Sequence, residues 1–113
     1  MLPKNQRLRK DNDIIRVAKK GHSFFTTRLI IKFVPTTSGK IRATVLVSLK
    51  FSKKSTARNR IKRQVRAALG SLMPKLKPGF DIVVTVKNQA AESTVAELKQ
   101  DLNFAFNKTG LLQ

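Results

Sequence analysis

Alternating apolar positions between residues 41 and 50 predict a strand. The apolar face of this segment would carry Ile41, Ala43, Val45, Val47 and Leu49. The opposite face is mixed but carries cationic and hydroxyl side chains, among them Arg42 and Thr44. A period of two residues is typical of a strand with one buried face. We therefore expect a polar partner against the Arg42 side of this strand.

Two later segments have the period of a helix. From about Thr56 to Leu72 the apolar stripe consists of Ala57, Ile61, Val65, Ala68, Leu69 and Leu72, and Pro74 follows it. This stripe predicts an amphipathic helix that ends before the proline. The residues Thr94-Val95-Ala96-Glu97 form a capping box, which predicts the start of a final helix. The residues expected to face inward from that helix are Val95, Leu98, Leu102 and Ala105.

The first part of the chain predicts a short helix. Asp11 or Asn12 is the expected N-cap, and Gly21 is the expected end. The inner face of this helix is predicted to carry Ile14, Val17 and Ala18.

Two further strands follow from composition and turn signals. Residues from Phe24 to Val34 are β-branched and aromatic, which favours a strand, with a short extra strand near Ser23. Pro78 and Gly79 turn the chain into another strand over residues 80–86. The phenylalanines expected in the core, rather than at a platform for bases, are Phe24, Phe25, Phe33, Phe80, Phe104 and Phe106. Phe51, beside Lys50 and Lys53, is the expected exception.

These elements predict the order α-β-β-α-β-α, or α-β-β-(β)-α-β-α with the extra strand. Helices and a single mixed sheet then alternate around one core, so the fold class is α+β. The chain has 113 residues, and no linker rich in Pro, Gly or Ser divides it. We therefore expect a single domain over residues 1–113.

The charge of the chain points to a polyanionic partner. The net charge is +18, from 24 Lys and Arg against 6 Asp and Glu. No acid lies between Ile14 and Phe80, although 17 Lys and Arg fall in that span. Nucleic acid is the commonest partner for a field of this kind.

Other composition features exclude several classes of site. The chain has no cysteine and a single histidine, so disulfides, thiolate zinc sites and multi-histidine metal sites are excluded. The basic N-terminus has no apolar stretch behind it, unlike a secretory signal, and no apolar run is long enough to span a membrane. The expected location is the cytoplasm, with no membrane partner.

The predicted long helix carries the strongest candidate site. The cations and the amide concerned are Lys53, Lys54, Arg58, Asn59, Arg60, Lys62, Arg63 and Arg66. Arginine suits phosphate because its planar fork donates two parallel hydrogen bonds, and Asn59 can read a base edge or a ribose hydroxyl. A solvated charged face is the simpler alternative, but no acids are interleaved as i,i+4 partners. RNA is favoured over DNA because a strand, not a helix-turn unit, precedes this helix.

Three other functions remain open on residues alone. A nuclease acting by itself would need a carboxylate-held metal pair or a histidine pair, whereas Asp11 and Asp13 suit the start of a helix and His22 suits a turn. A ribosomal or general RNA-chaperone protein would share the charge. An amphipath bound to a membrane surface would need a free apolar stripe, while the alternating strands offer this stripe a core.

An ordered set of motifs resembles the bacterial ribonuclease P protein family. Arg58-Asn59-Arg60-Ile61-Lys62-Arg63, followed by Arg66, resembles its RNR motif. Residues 47–54, VSLKFSKK, are similar to its V-S-K-K-V-x-K-K segment, and residues 77–84, KPGFDIVV, to its K-P-G-Y-D-I-V-V strand. Shorter matches are Leu2-Pro3-Lys4, Arg7-Leu8, Asp13, Arg16-Val17, Lys19-Lys20-Gly21, Ser23-Phe24, Glu97-Leu98 and Gly110-Leu111-Leu112.

The resemblance implies a fold and a function beyond the composition. The fold would be an α-β sandwich whose basic helix lies in a left-handed β-α-β crossover, an exception to the usual handedness. The RNR helix would bind the catalytic RNA, with Arg7 and Arg16 as further RNA contacts. A cleft between the first helix and the sheet would hold the 5′ leader of precursor tRNA. The RNA subunit, with Mg²⁺, would hydrolyse the phosphodiester, so that the protein carries no catalytic residue, binds no cofactor alone and needs no protein partner.

The predicted cleft departs from the family pattern. Its residues here are Ile14, Ala18, Lys32, Ser48 and Lys50. The family usually has aromatic rings at the positions of Ile14 and Ala18, where stacking adds about 1–3 kcal/mol per base. A third ring of the family falls at Lys32 in a match without gaps, next to Phe33. We therefore expect a more electrostatic groove, with leader-length-dependent binding that loses most of its strength at high salt. Leu49 and Ser52 also replace a usual lysine and a common glycine.

Overall fold

The computed structural model describes residues 6–37, 39–48 and 50–112. The helices and strands of this part are α1 (Asp11–Lys20), β1 (His22–Phe25), β2 (Leu29–Pro35), β3 (Ile41–Leu46), α2 (Ser55–Leu72), β4 (Phe80–Val86) and α3 (Val95–Thr109). Short 3-10 turns occupy Met73–Lys75 and Asn88–Ala90. The predicted strand residue Leu49 and the family match Leu2-Pro3-Lys4 lie outside the described residues.

The four described strands form one mixed sheet in the order β1-β2-β4-β3. β2 is antiparallel to both β1 and β4, while β3 and β4 are parallel neighbours. Parallel neighbours need a crossover connection, and α2 lies in it. The predicted α+β class and the element order with the extra strand are confirmed.

The sheet has helices on both faces. On one face, β-strand residues such as Ile31, Ile82 and Val84 pack with buried residues of α2 and α3 in the main core. On the other face, Val17 of α1 packs against Leu8 and Val83 in a smaller cluster. The large core holds the basic helix in place, and the small one leaves part of the second face open.

The predicted strand from Phe24 to Val34 is in fact two strands. The backbone N–H of Thr26 donates to the carbonyl of Leu29 at 2.8 Å, and the Thr26 hydroxyl accepts from the Leu29 N–H at 3.0 Å. These bonds close a tight turn that reverses the chain between β1 and β2. The short extra strand expected near Ser23 is therefore β1.

The predicted cap of α1 is wrong. The helix begins at Asp11, the N-cap position is Lys10, and no side chain caps it. Asp11 and Asp13 instead lie in the first turn, where carboxylates interact favourably with the helix dipole. Of the predicted inner face, Val17 is buried, Ile14 is half-buried and Ala18 is exposed. Ile14 and Val17 pack in the small core against the sheet, so only part of the predicted stripe is covered.

Gly21 ends α1 as predicted, through a close approach of backbone atoms. Its N–H donates to the carbonyl oxygen of Val17 at 2.8 Å, and its φ of −74° is accessible to any residue. A Cβ at this position would collide with that same oxygen. The glycine is therefore required by space between α1 and β1, and not by a left-handed backbone.

The predictions for α2 and α3 are largely confirmed. Ile61, Val65 and Leu69 of α2 are almost fully buried. In α3, the hydroxyl of Thr94 accepts from the Glu97 N–H, and the Glu97 carboxylate accepts from the Thr94 N–H, as the capping box predicts. Val95, expected to face inward, is exposed instead.

Two of the predicted core phenylalanines lie on the surface. Phe25 is 63% exposed and Phe104 is 53% exposed. Phe51, expected at the RNA surface, packs against the main core. Hydrophobicity alone therefore misplaced Phe25 and Phe104, and the neighbouring lysines misplaced Phe51.

Candidate nucleic-acid interface

The basic helix α2 presents its cations away from the core, as its sequence predicts. Asn59, Arg60 and Arg63 are exposed, while Lys62 and Arg66 are half-buried at the flanks. No ion pair joins a cation of α2 to an acidic side chain in the described part of the chain. The face is therefore electropositive and open to an external anion.

The segment that leads into α2 is shaped by its own hydrogen bonds. The guanidinium of Arg58 donates to the carbonyl oxygen of Ser52 at 2.7 Å, and the Ser52 hydroxyl accepts from the Lys54 N–H at 3.1 Å. Lys53 and Lys54 are exposed beside the N-terminus of the helix. Arg58 thus supports the loop, while the two lysines extend the cationic surface.

The sheet face on the α1 side consists of three rows of laterally paired residues. Paired residues share a face, because their Cβ atoms point the same way. The covered row contains Val34, Asp81 and Arg42. The middle row contains Ser23, Lys32, Val83 and Thr44, and the open row contains Phe25, Ile30, Thr85 and Leu46. We call the middle and open rows together the open face.

The open face contains some of the predicted cleft residues. Lys32 lies half-buried in the middle row, and Ile14 borders it from α1, half-buried against the small core. Ala18 is exposed on α1, and Ser48 and Lys50 are exposed after β3. The sequence did not predict that Phe25 lies in the open row, because the direction of this ring depends on the pairing of β1 with β2.

A buried carboxylate fixes the covered row. Asp81 is fully buried, and its oxygens accept two hydrogen bonds from Arg42, at 2.9 and 3.0 Å, and one from Arg16, at 2.6 Å. The hydrogen bonding by Asp81 raises the pKa of the Arg42 guanidinium above its ordinary value. Asp81 is the polar partner expected against Arg42. A carboxylate oxygen of Asp13 also lies 3.7 Å from the Arg42 guanidinium.

This pairing bears on the prediction that Arg16 contacts RNA. The guanidinium of Arg16 is engaged by Asp81, although its side chain stays 37% exposed. It therefore has a structural role in attaching α1 to the sheet. Contact with RNA stays a prediction for this residue.

A second acidic cluster joins α3 to the turn between β1 and β2. Arg28 donates to Asp101 at 2.9 Å and to Glu97 at 3.0 Å, and the Thr26 hydroxyl also donates to Asp101 at 2.9 Å. Asp13, Asp81, Glu97 and Asp101 thus form ion pairs with Arg16, Arg28 and Arg42. None of these arginines belongs to α2, so these four acids do not compensate the charge of that helix.

A cavity of about 290 Å³ lies at the outer edge of β3. Its polar lining comes from Arg7, Arg9, Thr44 and Arg66, and its apolar lining includes Leu8 and Ile14. The structure therefore places Arg7 and Arg66, both predicted RNA contacts, around the same space. Arg9 was missed by the sequence analysis, because its proximity to Arg66 arises only in the folded chain.

The described residues contain no group of three or more His, Cys, Asp or Glu side chains that could hold a metal ion. No helix among them has the length and apolar character needed to cross a membrane. His22, expected in a turn, is exposed at the start of β1 and lies 5.6 Å from the ring of Phe33.

Comparison with known proteins gives a consistent match along the chain. The family model for ribonuclease P matches residues 2–110. The chain is 38% identical over 113 residues to the ribonuclease P protein component of a Pseudanabaena species, covering 99% of this chain and 97% of that protein. It is 33% identical over 112 residues to the same component of a Synechocystis species, covering 98% and 90%.

A solved structure agrees with these matches. The ribonuclease P protein from Thermotoga maritima superposes with a TM-score of 0.79 at 26% identity, over 89% of this chain and 96% of that one. The fold, the position of the basic helix and the sequence relatives therefore lead to one conclusion. This chain belongs to the bacterial ribonuclease P protein family and is a protein subunit of that tRNA-processing endoribonuclease.

Proposed function

We propose that this chain binds the RNA subunit of ribonuclease P through α2 and holds the 5′ leader of precursor tRNA on the open face. The observation that carries the proposal is the exposed cationic face of α2. Arg60 and Arg63 are solvent-exposed there, and the opposite stripe of the helix is buried in the main core. A rigid helix can therefore offer its guanidiniums to a folded polyanion without rearranging.

The side chains of this face suit the backbone of a folded RNA. Guanidinium groups donate paired hydrogen bonds to phosphate oxygens, and lysines contribute compact positive charge. The exposed amide of Asn59 can bond to a ribose hydroxyl or a base edge. Lys53 and Lys54, beside the N-terminus of α2, continue this surface towards the sheet. The helix would thus recognise shape and phosphate spacing.

The leader is assigned to the open face because of its charge and its exposed ring. The acid of the four described strands is Asp81, which is buried and paired, so no carboxylate repels a phosphate there. Lys32 supplies a cation in the middle row, and Phe25 supplies a ring in the open row. Neighbouring strands lie about 4.8 Å apart, so the open row spans roughly 14 Å, enough for several unstacked bases.

Catalysis is assigned to the RNA subunit with its Mg²⁺ ions. In this proposal the protein binds, orients and neutralises charge, and no residue of the chain contacts the reacting bond. Holding the leader beside the RNA subunit strengthens substrate binding, and neutralised phosphate repulsion favours metal binding nearby. Both effects should be largest when Mg²⁺ is limiting.

Reconstitution with a bacterial ribonuclease P RNA tests the proposal. At limiting Mg²⁺ we expect the protein to accelerate 5′ cleavage of precursor tRNA above the rate of the RNA alone. Arg63→Gln should reduce the acceleration, while Lys99→Gln, which removes an exposed cation from α3, should retain it. No acceleration by a protein that still binds RNA would favour a ribosomal or general chaperone role, and cleavage by the protein alone would indicate an autonomous nuclease.

A further inference from the structure

We infer that Asp101, an acid of α3, positions Phe25 for leader binding by holding the turn between β1 and β2. The inference rests on the proposed function, in which the Phe25 ring belongs to the leader site on the open face. α3 packs against the opposite face of the sheet, so Asp101 acts through the turn and not by contact with the leader. It is therefore a positioning residue, and its effect on leader binding should depend on Phe25.

The strand that carries Phe25 is short and lies at the edge of the sheet. β1 has four residues and pairs with β2 alone among the described strands. Phe24 packs against the main core, with its ring 6.0 Å from the ring of Phe104. The next side chain, Phe25, therefore points to the open face. A short edge strand frays readily, so the position of this ring depends on how the ends of β1 are attached.

The backbone of the turn needs support from the rest of the molecule. Thr27 and Arg28 are the loop residues between Thr26 and Leu29, whose N–H and carbonyl groups meet at 2.8 Å. None of residues 26–29, all of which the structure describes, has a positive φ. Two-residue hairpin loops usually need a positive φ, and turns without it splay the two strands. We therefore expect outside contacts to keep β1 in place beside β2.

Asp101 supplies such contacts through both carboxylate oxygens. Oδ2 accepts hydrogen bonds from the Thr26 hydroxyl at 2.9 Å and from the Arg28 N–H at 3.2 Å, and Oδ1 accepts from the Arg28 guanidinium at 2.9 Å. Because the Thr26 hydroxyl donates to Asp101, its oxygen is oriented to accept from the Leu29 N–H at 3.0 Å. One carboxylate thus orients both the side chain that closes the turn and the residue at its tip.

The other side of the turn is held by Lys87, which follows β4. Its ammonium donates to the carbonyl oxygen of Thr26 at 3.1 Å, and its N–H donates to the carbonyl oxygen of Arg28 at 2.9 Å. These bonds do not involve Asp101, and the turn keeps them when that acid is replaced. Asp101→Asn should therefore loosen the turn and the adjoining end of β1 without unfolding the chain.

Binding of precursor tRNA to the assembled ribonucleoprotein tests the inference. Asp101→Asn should weaken binding of a substrate with a long leader by about three- to tenfold, up to the loss of one stacked base, and leave a substrate without leader unchanged. Removal of an acid by itself strengthens RNA binding, so the expected change is opposite to a general charge effect. Glu92→Gln removes the same charge from an exposed residue and is the control.

A double-mutant cycle shows whether Asp101 acts through Phe25. In the Phe25→Ala background, Asp101→Asn should have little further effect, because both changes remove the same stacked base. A loss of equal size in both backgrounds, or no loss in the native background, would overturn the inference alone. No leader-dependent loss from Phe25→Ala itself would remove this ring from the leader site of the proposed function, and the inference with it. The two failures are thus distinguishable.

Substitutions of Thr26 give an independent measure that needs no RNA. Thr26→Val removes the hydroxyl, and Thr26→Ser keeps it. Bonded pairs alternate along the hairpin from Thr26 and Leu29, so the Phe24 N–H faces β2, and its hydrogen exchange reports on the order of β1. Exchange should be faster in Thr26→Val and Asp101→Asn than in the native chain and Thr26→Ser, and leader binding should follow the same order. Equal exchange in all four proteins would overturn the inference.

Discussion

The carboxylate of Asp81 illustrates how a single residue attaches α1 to the sheet. It is fully buried in β4, between Arg42 of the neighbouring strand and Arg16 of α1. A buried charge is tolerated when its lone pairs are satisfied, and three short hydrogen bonds do so here. The two arginines are therefore partly neutralised within the protein, unlike the cations of α2.

Replacement of Asp81 by Asn should destabilise the protein strongly. The change leaves two guanidiniums against a neutral group. We expect the free energy of unfolding to fall by about 3 kcal/mol. This is the lower end of the range for a broken buried ion pair, because Arg16 is partly exposed. The measurement is the free energy of unfolding in urea. Glu92→Gln removes the same charge from an exposed residue and should change that free energy by less than about 0.5 kcal/mol. Equal effects of the two substitutions would contradict a structural role for Asp81.

Phe25 is the residue whose exposure makes it a candidate platform for a base. Phe25→Ala should weaken binding of precursor tRNA with a long leader about tenfold, since base stacking adds about 1–3 kcal/mol. Affinity for a substrate without leader, and protein stability, should stay the same because the ring is 63% exposed. The assembled ribonucleoprotein is used for the binding measurement.

Phe104→Ala is the matched control for Phe25. Phe104 is similarly exposed, but it projects from α3, where its ring contacts Phe24 and lies beneath the ammonium of Lys108. We expect no leader-dependent change from this substitution. Equal losses from both variants would mean that exposed rings act through general stability or solubility, and would remove Phe25 from the leader site.

At the scale of elements, the proposed function assigns the interaction with the RNA subunit to α2. Arg60→Gln and Arg63→Gln should each weaken binding to that RNA and flatten the dependence of log affinity on log salt by about one unit. The reason is that each guanidinium releases about one counterion when it binds a phosphate. Lys99→Gln on α3 is the control. Slopes that stay unchanged in both arginine variants would show that this face remains in solvent in the complex.

The capping box of α3 gives a prediction for pH. The backbone N–H of Thr94, which donates to the Glu97 carboxylate, is the main cause that lowers the pKa of Glu97 below its ordinary value of 4.5. A carboxyl group whose pKa is lower in the folded state stabilises that state at pH values above its ordinary pKa. This stabilisation is lost as the pH falls through the lower pKa of the folded state. The stability difference between the native chain and Glu97→Gln should therefore shrink from about pH 5 to about pH 3. Urea unfolding over this range measures it, and a constant difference would contradict the cap.

The elements that sequence predicts well are those with local signals. The stripe from Ile61 to Leu72 and the capping box at Thr94 each lie within a few turns, and both were confirmed. Contacts between distant residues were not accessible in this way. Asp81 pairs with Arg42 and Arg16 across 39 and 65 residues, so only the strand register brings them together.

The open face was mispredicted for the same physical reason. Composition favours a buried phenylalanine, but the turn at Thr26 sets the register of β1 on β2. This register places Phe25 in the open row, on the part of the sheet face that α1 does not cover. The cavity at the outer edge of β3 likewise depends on the segment before α1, which pairs with that edge through a bridge between Arg7 and Ala43. The basic helix could therefore be predicted from sequence, while the open face required the fold.

At the scale of the whole molecule, charge opposes folding of the free chain. The net charge is +18, and the acids Asp13, Asp81, Glu97 and Asp101 form ion pairs with Arg16, Arg28 and Arg42, so a large excess of positive charge is left. Repulsion among the remaining cations acts over a screening length of about 10 Å at 0.1 M salt, comparable with the radius of gyration of 12.9 Å. Screening should therefore stabilise the folded state, whereas it should weaken RNA binding.

Sodium chloride should accordingly raise the urea midpoint of the free protein while it lowers affinity for the RNA subunit. Chloride is chosen because it screens charge without the paired hydrogen bonds that phosphate accepts from arginine. Measurements at about 0.01 M and about 0.15 M compare screening lengths of roughly 30 and 8 Å. Because the Asp81 pairs are buried and screened less, they should not reverse this trend. A midpoint that falls with salt would mean that ion pairs outweigh repulsion, and that the cations of α2 are compensated within the folded chain.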